Sequence, residues 1–283
     1  MPNLYALKPS ATPNYIDITF QFTPRKPGKQ VIQLPIWRPG RYQTQNFAKN
    51  IPVLKAYTAS SGDALNIQKT ASSTWELEAF EPVEIRYSYY AHQPDAGGSV
   101  LAADLIYLNF INCLLYVKGR EKERCEIQIL KPKGWQSVCT FKNGGKYREL
   151  VDSPYIAAPA IFQHKWKYKG VKFVIDVVGS RLALTKKLME AYEKFTQSQL
   201  DWMGHFPVKE YHYMIWVCPN PYYHGVEHTK STMMVLGPPD RDAYEDLIGL
   251  GSHELFHVWN IATIRPVRSE ERRVGKECLR LCR

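Results

Sequence analysis

Tyr15-Ile16-Asp17-Ile18-Thr19-Phe20-Gln21-Phe22 alternates apolar and polar residues through eight positions. Successive side chains of an extended strand point to opposite faces, so such a run buries one face and leaves the other wet. Similar runs follow at Val31 to Leu34, Trp75 to Ala79, Val83 to Tyr90, Cys125 to Leu130 and Ile161 to Tyr168. Turn-forming clusters separate them, among them Pro24-Arg25-Lys26-Pro27-Gly28, Pro94-Asp95-Ala96-Gly97-Gly98 and Lys142-Asn143-Gly144-Gly145. Short strands punctuated in this way predict an antiparallel β-sandwich over residues 1–168.

From Val171 the pattern changes. Val171 to Val178 reads as a strand, and Leu182 to Met203 carries Leu184, Leu188, Ala191, Phe195 and Leu200 near helical spacing, with Gly204 and Pro207 to end it. Tyr211 to Cys218 is a further strand and Met233 to Leu236 a short one. A last helix is expected to open near Asp240, after Pro238-Pro239. Asp240 can cap that helix and complement the positive end of its dipole. Residues 169–267 therefore read as a mixed α/β segment, which makes the chain α+β.

The last helix carries His253-Glu254-Leu255-Phe256-His257. Residues four apart share a helix face, so His253 and His257 can present imidazole nitrogens to one metal ion, with Glu254 beside them as a general base. Zinc lowers the pKa of a bound water to about 7, so the pattern points to Zn2+-assisted hydrolysis, most often of a peptide bond. Leu247, Ile248, Leu250, Leu255, Phe256, Val258, Trp259 and Ile261 surround the motif, which suggests a buried helix. Two imidazoles and a carboxylate would be costly to bury there without a partner. Asn260 and Thr263 occupy the positions where the metzincin extension needs glycine and a third histidine, so a third ligand must come from elsewhere.

Upstream, Tyr223-His224-Gly225-Val226-Glu227-His228 reads as a segment between strand and helix, with Gly225 permitting a close backbone approach or a bulge. A carboxylate such as Glu227 beside a peptidase cleft could hold a terminal ammonium by charge-assisted hydrogen bonds. Taken without the zinc motif, the same residues describe a surface turn with an ordinary glutamate.

With these stretches in place the chain resembles the glycyl aminopeptidase family of zinc metallopeptidases. The resemblance lies in Leu34-Pro35-Ile36-Trp37-Arg38-Pro39-Gly40-Arg41-Tyr42, Asn46-Phe47-Ala48-Lys49-Asn50, Leu150-Val151-Asp152-Ser153-Pro154, Gly225-Val226-Glu227-His228 and Ser252-His253-Glu254-Leu255-Phe256-His257-Val258-Trp259-Asn260. It implies an N-terminal β-sandwich, a thermolysin-like catalytic domain and a C-terminal PDZ domain, acting on peptides with a free N-terminus and favouring small residues such as Gly and Ala. Position by position, it implies that His253 and His257 are zinc ligands, Glu254 the general base and Glu227, with Gly225 in the same stretch, the binder of the substrate's α-amino end. His228 shapes the same wall. The Trp37 and Leu150 to Pro154 stretches read as structural, a Pro-Gly turn and an interdomain strand or hinge.

The family's third ligand is a Glu on a later helix, and its transition-state donor lies later still; neither has a counterpart before residue 267. Residues 169–267 are thus expected to be the first, incomplete half of the catalytic domain. Residues 268–283 look foreign: Arg268-Ser269-Glu270-Glu271-Arg272-Arg273-Val274-Gly275-Lys276-Glu277-Cys278 is similar to the translation of a widely used sequencing adapter. Glu277, 20 positions after His257, is set aside for that reason. The chain as written is expected to be inactive, its intact parent a zinc aminopeptidase. The other readings are a zinc endopeptidase and a metal-free β-sandwich binding module with a degenerate catalytic extension.

The net charge of +10 raises the question of nucleic acid or an anionic membrane. The foreign run holds six of the 37 Lys and Arg and three of the 27 Asp and Glu, which leaves +7 spread without a basic helix or patch, so neither partner is expected. Ala102 to Val117 is too short, and too interrupted by Asp104, Asn109 and Asn112, to span a bilayer. Met1 to Ser10 lacks the basic and apolar regions of a secretory signal, and Cys113, Cys125, Cys139 and Cys218 form no CxxC pair. Both features predict a cytoplasmic protein with buried thiols.

Overall fold

The computed structural model describes residues 2–37, 44–180, 184–238 and 244–260. The chain divides into two compact units, Met1–Ala160 and Ile161–Arg283. The division falls before the expected 168/169 because Phe162–Tyr168 pairs along its whole length with Val171–Val178, which makes it a strand of the second unit.

In chain order the first unit contains β1 (Asn3–Pro9), β2 (Tyr15–Phe22), β3 (Gly28–Gln33), β4 (Leu54–Thr58), β5 (Ala64–Leu65), β6 (Ile67–Ala71) and β7 (Thr74–Ala79). It continues with β8 (Val83–Tyr90), β9 (Val100–Ala102), β10 (Leu105–Leu108), β11 (Tyr116–Val117), β12 (Cys125–Ile129), β13 (Gln136–Cys139), the short helix α1 (Tyr147–Val151) and β14 (Tyr155–Ala158). The strands form a six-stranded sheet ordered β12-β1-β2-β8-β4-β5 and two four-stranded sheets, β11-β3-β7-β6 and β13-β14-β10-β9. In β2 the alternation works as read: Ile16, Ile18, Phe20 and Phe22 are buried and the residues between them are not. Those side chains share one core with Ile32, Trp75 and Leu77 of the β3–β7 sheet, which is the N-terminal β-sandwich. One pairing departs from the antiparallel rule. β1 runs parallel to β12, a partner more than a hundred residues away in sequence.

Cys113, Leu114 and Leu115 cross this core outside any strand, fully buried. Buried backbone must be hydrogen-bonded, and three tyrosines meet the need. Tyr87 Oη donates to the Cys113 carbonyl at 2.7 Å, Tyr147 Oη to Leu114 at 2.7 Å and Tyr5 Oη to Leu115 at 2.8 Å. The Leu150 to Pro154 stretch ends α1 and turns into β14 inside the first unit, so it is neither an interdomain strand nor a hinge. Asn46 to Asn50 forms a single 3-10 turn at Phe47–Asn50, and residues 38–42 of the Trp37 stretch lie outside the described residues.

The second unit contains β15 (Phe162–Tyr168), β16 (Val171–Val178), α2 (Lys186–Met203), β17 (Glu210–Val217), β18 (Tyr222–Glu227), β19 (Ser231–Gly237) and α3 (Tyr244–Phe256). Its sheet is mixed, ordered β15-β16-β17-β19-β18, with the outer pairs antiparallel and the inner two parallel. Thr185 caps α2, its Oγ1 accepting from the Leu188 N–H at 3.2 Å, and Gly204 ends the helix with φ 75°. The buried stripe Leu188, Tyr192, Thr196 and Leu200 keeps the four-residue helical spacing and packs, with α3, on Phe173, Ile175, Tyr211, Tyr213 and Met234 of the sheet. The expected cap Asp240 and the whole of residues 261–283, Glu277 included, lie outside the described residues. All four described cysteines are free thiols, three of them buried. Among the described residues no helix is long and apolar enough to cross a membrane.

Candidate active site

α3 is an unusual helix by composition. Gly249 and Gly251 sit in its interior, where each glycine costs about 1 kcal/mol relative to alanine. At Gly251 the reason is space: a Cβ there would fall within 2.9 Å of three atoms of the Tyr192 side chain. With the helix so close, Tyr192 Oη donates to the Leu247 carbonyl at 2.7 Å. Two turns further along α2, Gln199 Nε2 donates to the carbonyl and Oγ of Ser252 at 2.9 and 2.8 Å. Beyond the helix, Trp259 Nε1 donates to the His205 carbonyl at 2.7 Å. These three pins fix the rotation and the axial position of α3, and hence the direction in which its histidines point. Sequence reading missed Tyr192, Gln199 and Trp259 as supports because each acts on a residue more than fifty positions away, where no local pattern reports it.

His253 lies in the last turn of α3, and His257 just past it, where the Val258 and Trp259 N–H groups bond to Leu255 and Phe256. The two Nε2 atoms converge to 3.1 Å, with ring planes nearly perpendicular. Two nitrogen ligands at zinc bond lengths and a tetrahedral angle lie about 3.3 Å apart, so the spacing suits a shared metal. Burial holds both imidazoles below the usual histidine pKa; the neighbouring His257 adds to the effect on His253, and the Glu227 carboxylate opposes it at both. They are therefore neutral at pH 7, the form with a lone pair to donate. His257 Nδ1 is buried with no hydrogen-bond partner among the described residues, a place that a ligating histidine normally fills with a carbonyl, a carboxylate or water.

Glu254 is 3 % exposed, and its carboxylate lies against the backbone of β18. A Cβ on Gly225 would fall 2.8 Å from both Cγ and Cδ of Glu254, so only glycine leaves room for that carboxylate. The Tyr223 to His228 stretch is not a turn or a bulge. Tyr222–Glu227 is the edge strand β18, paired antiparallel with β19 through Gly225 opposite Met234 and Glu227 opposite Thr232. The apolar run of β19, buried at all seven positions, forces this pairing. His228 follows in the turn, buried, its N–H donating to the Ser231 carbonyl at 2.9 Å.

The structure thus brings His253, Glu254, His257, Gly225 and Glu227 to one place. It adds no third donor: among the described residues no group of three His, Cys, Asp or Glu side chains can hold a metal ion. The donor set fits two of the three protein ligands that a catalytic zinc normally has.

The sequence profile of the peptidase M61 N-terminal domain matches residues 5–159, more than half of the chain. The chain belongs to the M61 peptidase family. The matched residues coincide with the first unit of this M61 chain, and the α3 site lies outside them. No curated protein sequence matches the chain. Among solved structures, an aminopeptidase N family protein from Idiomarina loihiensis superposes with a TM-score of 0.83 at 22 % identity, over 93 % of this chain and 49 % of that one. The M61 chain shares that fold and spans about half of that protein's length. An M1 zinc metallopeptidase from Deinococcus radiodurans superposes with a TM-score of 0.49 at 15 % identity, over 91 % of this chain and 64 % of that one.

Proposed function

We propose that the chain carries the two-histidine arm, the general base and the amine-binding carboxylate of a zinc aminopeptidase that removes small N-terminal residues from peptides. The observation that carries the reading is the convergence of His253 and His257 Nε2 to 3.1 Å on the helix that also presents Glu254. His253 and His257 would hold the ion, with a third ligand supplied from outside the described residues. Zinc there would supply Lewis acidity at the scissile carbonyl and lower the pKa of water to about 7.

Glu254 is placed to take a proton from the attacking water and return it to the leaving nitrogen. Its burial against Gly225 confines the carboxylate to the β18 side of α3. Glu227, whose charge reaches both imidazoles, would hold the α-ammonium of the substrate and so set the cut one residue from the free end. Two imidazoles alone bind zinc weakly, so turnover requires that third ligand.

The test is hydrolysis of glycine and alanine nitroanilides against their N-acetylated forms, with zinc stoichiometry measured in parallel. Free-amine substrates should be cleaved and acetylated ones spared. Equal turnover of the blocked substrate would establish an endopeptidase instead. The alternative is a metal-free binding module, and the absence of stoichiometric zinc from the full-length protein would decide for it.

A further inference from the structure

β18 and α3 run side by side, and their residues meet in order. The alternation of the strand sets Tyr223, Gly225 and Glu227 on one face. Tyr223 Oη lies 3.9 Å from where a Cβ of Gly249 would be, Gly225 abuts Glu254, and the Glu227 charge acts on His253 and His257. The lengths agree: from Gly249 to His257 a helix rises about 12 Å, and from Tyr223 to Glu227 a strand rises about 13 Å. The face shared by β18 and α3 is therefore a ladder of three steps, with a carboxylate at one end, a bare backbone in the middle and an aromatic ring at the other.

This order gives a bound peptide a direction, granted the aminopeptidase reading on which it rests. With the ammonium at Glu227 and the scissile carbonyl opposite Glu254 and Gly225, the chain beyond the cut must run towards Tyr223. Gly225 and Tyr223 are about 6.6 Å apart along the strand, and one extended residue advances about 3.3 Å. That advance leaves about 3.3 Å along the strand, so the side chain of the second residue comes within contact distance of the Tyr223 ring. Tyr223 is 41 % exposed, so its ring presents surface to that space, and the glycine at 249 keeps the helix side of it open.

We propose that Tyr223 is a specificity-determining residue that reads the second residue of the substrate, the one that becomes the new N-terminus, and favours a large apolar or aromatic side chain there. Selectivity at the first position comes from Glu227 and selectivity at the second from Tyr223, so the two can be separated by mutation.

The experiment measures equilibrium binding by calorimetry, and turnover by the zinc-loaded full-length protein, for Gly-Phe-NH2, Gly-Leu-NH2 and Gly-Gly-NH2 and their N-acetyl forms. Phe and Leu at the second position should bind about tenfold more tightly than Gly, the scale expected for partly burying such a side chain against a ring. Tyr223→Ala should bring that ratio close to one, and Tyr223→Phe should keep it. Glu227→Gln should abolish discrimination against the acetylated peptides and leave the second-position ratio intact. A Tyr223→Ala protein that retains the ratio overturns the assignment of Tyr223 alone. Indifference to acetylation in the unmutated protein overturns the aminopeptidase reading, while the ratio still scores Tyr223. A panel in which no peptide binds overturns both.

Discussion

The two units bury polar side chains to opposite ends. In the sandwich, Tyr5, Tyr87 and Tyr147 bring hydroxyls into the core and give them to three consecutive carbonyls, so that each polar group answers another. At the end of α3, a half-buried imidazole, His253, faces a buried one, His257, and a carboxylate is packed against bare backbone. The first arrangement lowers the energy of one fold. The second leaves basic nitrogens desolvated and uncharged, which is unfavourable for stability and useful for chemistry. The lesson is that burial of a polar group does not identify its role; the identity of its partner does.

The contrast breaks most readily at Glu254. In the zinc-loaded protein, Glu254→Gln should reduce turnover by about 10²- to 10⁴-fold, the usual worth of a general base, with zinc content unchanged; a loss below tenfold would remove Glu254 from the chemistry. Gly225→Ala comes next. The new methyl group must displace the Glu254 carboxylate, and a displacement near 1 Å costs about 10²-fold in rate; steady-state kinetics against the unmutated protein measures it.

In the sandwich the expected effects are on stability alone. Tyr147→Phe should cost about 1–3 kcal/mol in urea unfolding by leaving the Leu114 carbonyl unsatisfied. The double variant with Tyr5→Phe should be non-additive, because the two carbonyls belong to adjacent residues.

The smallest effect is one of pH. Since the folded state holds His253 and His257 below their ordinary pKa, the unfolded chain binds more protons in acid. Stability of the metal-free protein should therefore be complete above the unfolded value of about 6.5 and decline as pH falls through the lowered folded values. Thermal melts between pH 8 and 5 would record the decline, and the His253→Asn, His257→Asn double variant should flatten it.

Much of this was legible in the residues. Val83 to Tyr90 reads as a strand from its alternation and is one; of the expected motif, His253 and Glu254 sit on the last helix and His257 in the turn just past it. What stayed hidden was set by distant partners. β18 carries a glycine between two histidine-flanked halves, and only its pairing with β19 makes it a strand. β19 itself showed as Met233 to Leu236, because Ser231 and Thr232 are polar; both are nonetheless fully buried in Ser231–Gly237. The parallel β1–β12 pair and the two-residue strands β5 and β11 owe their existence to neighbours rather than to their own pattern. At the site, residue types gave His253, Glu254, His257 and Glu227, but the helix pins from Tyr192 and Gln199 depend on how α2 lies against α3.

The three core tyrosines also make the sandwich optically self-reporting. Burial raises the ionisation of all three hydroxyls well above the usual phenol value, so in moderate alkali they stay silent while exposed phenols turn to phenolate. The contribution they make is complete below a pH of about 10, the unfolded phenol value, and is withdrawn as pH rises beyond it. A jump to strong alkali followed at the phenolate absorbance band should therefore split into an instantaneous rise from surface tyrosines and slower rises clocked by unfolding, in which Tyr192 and Tyr213, raised by burial in the second unit, report beside the three of the β-sandwich.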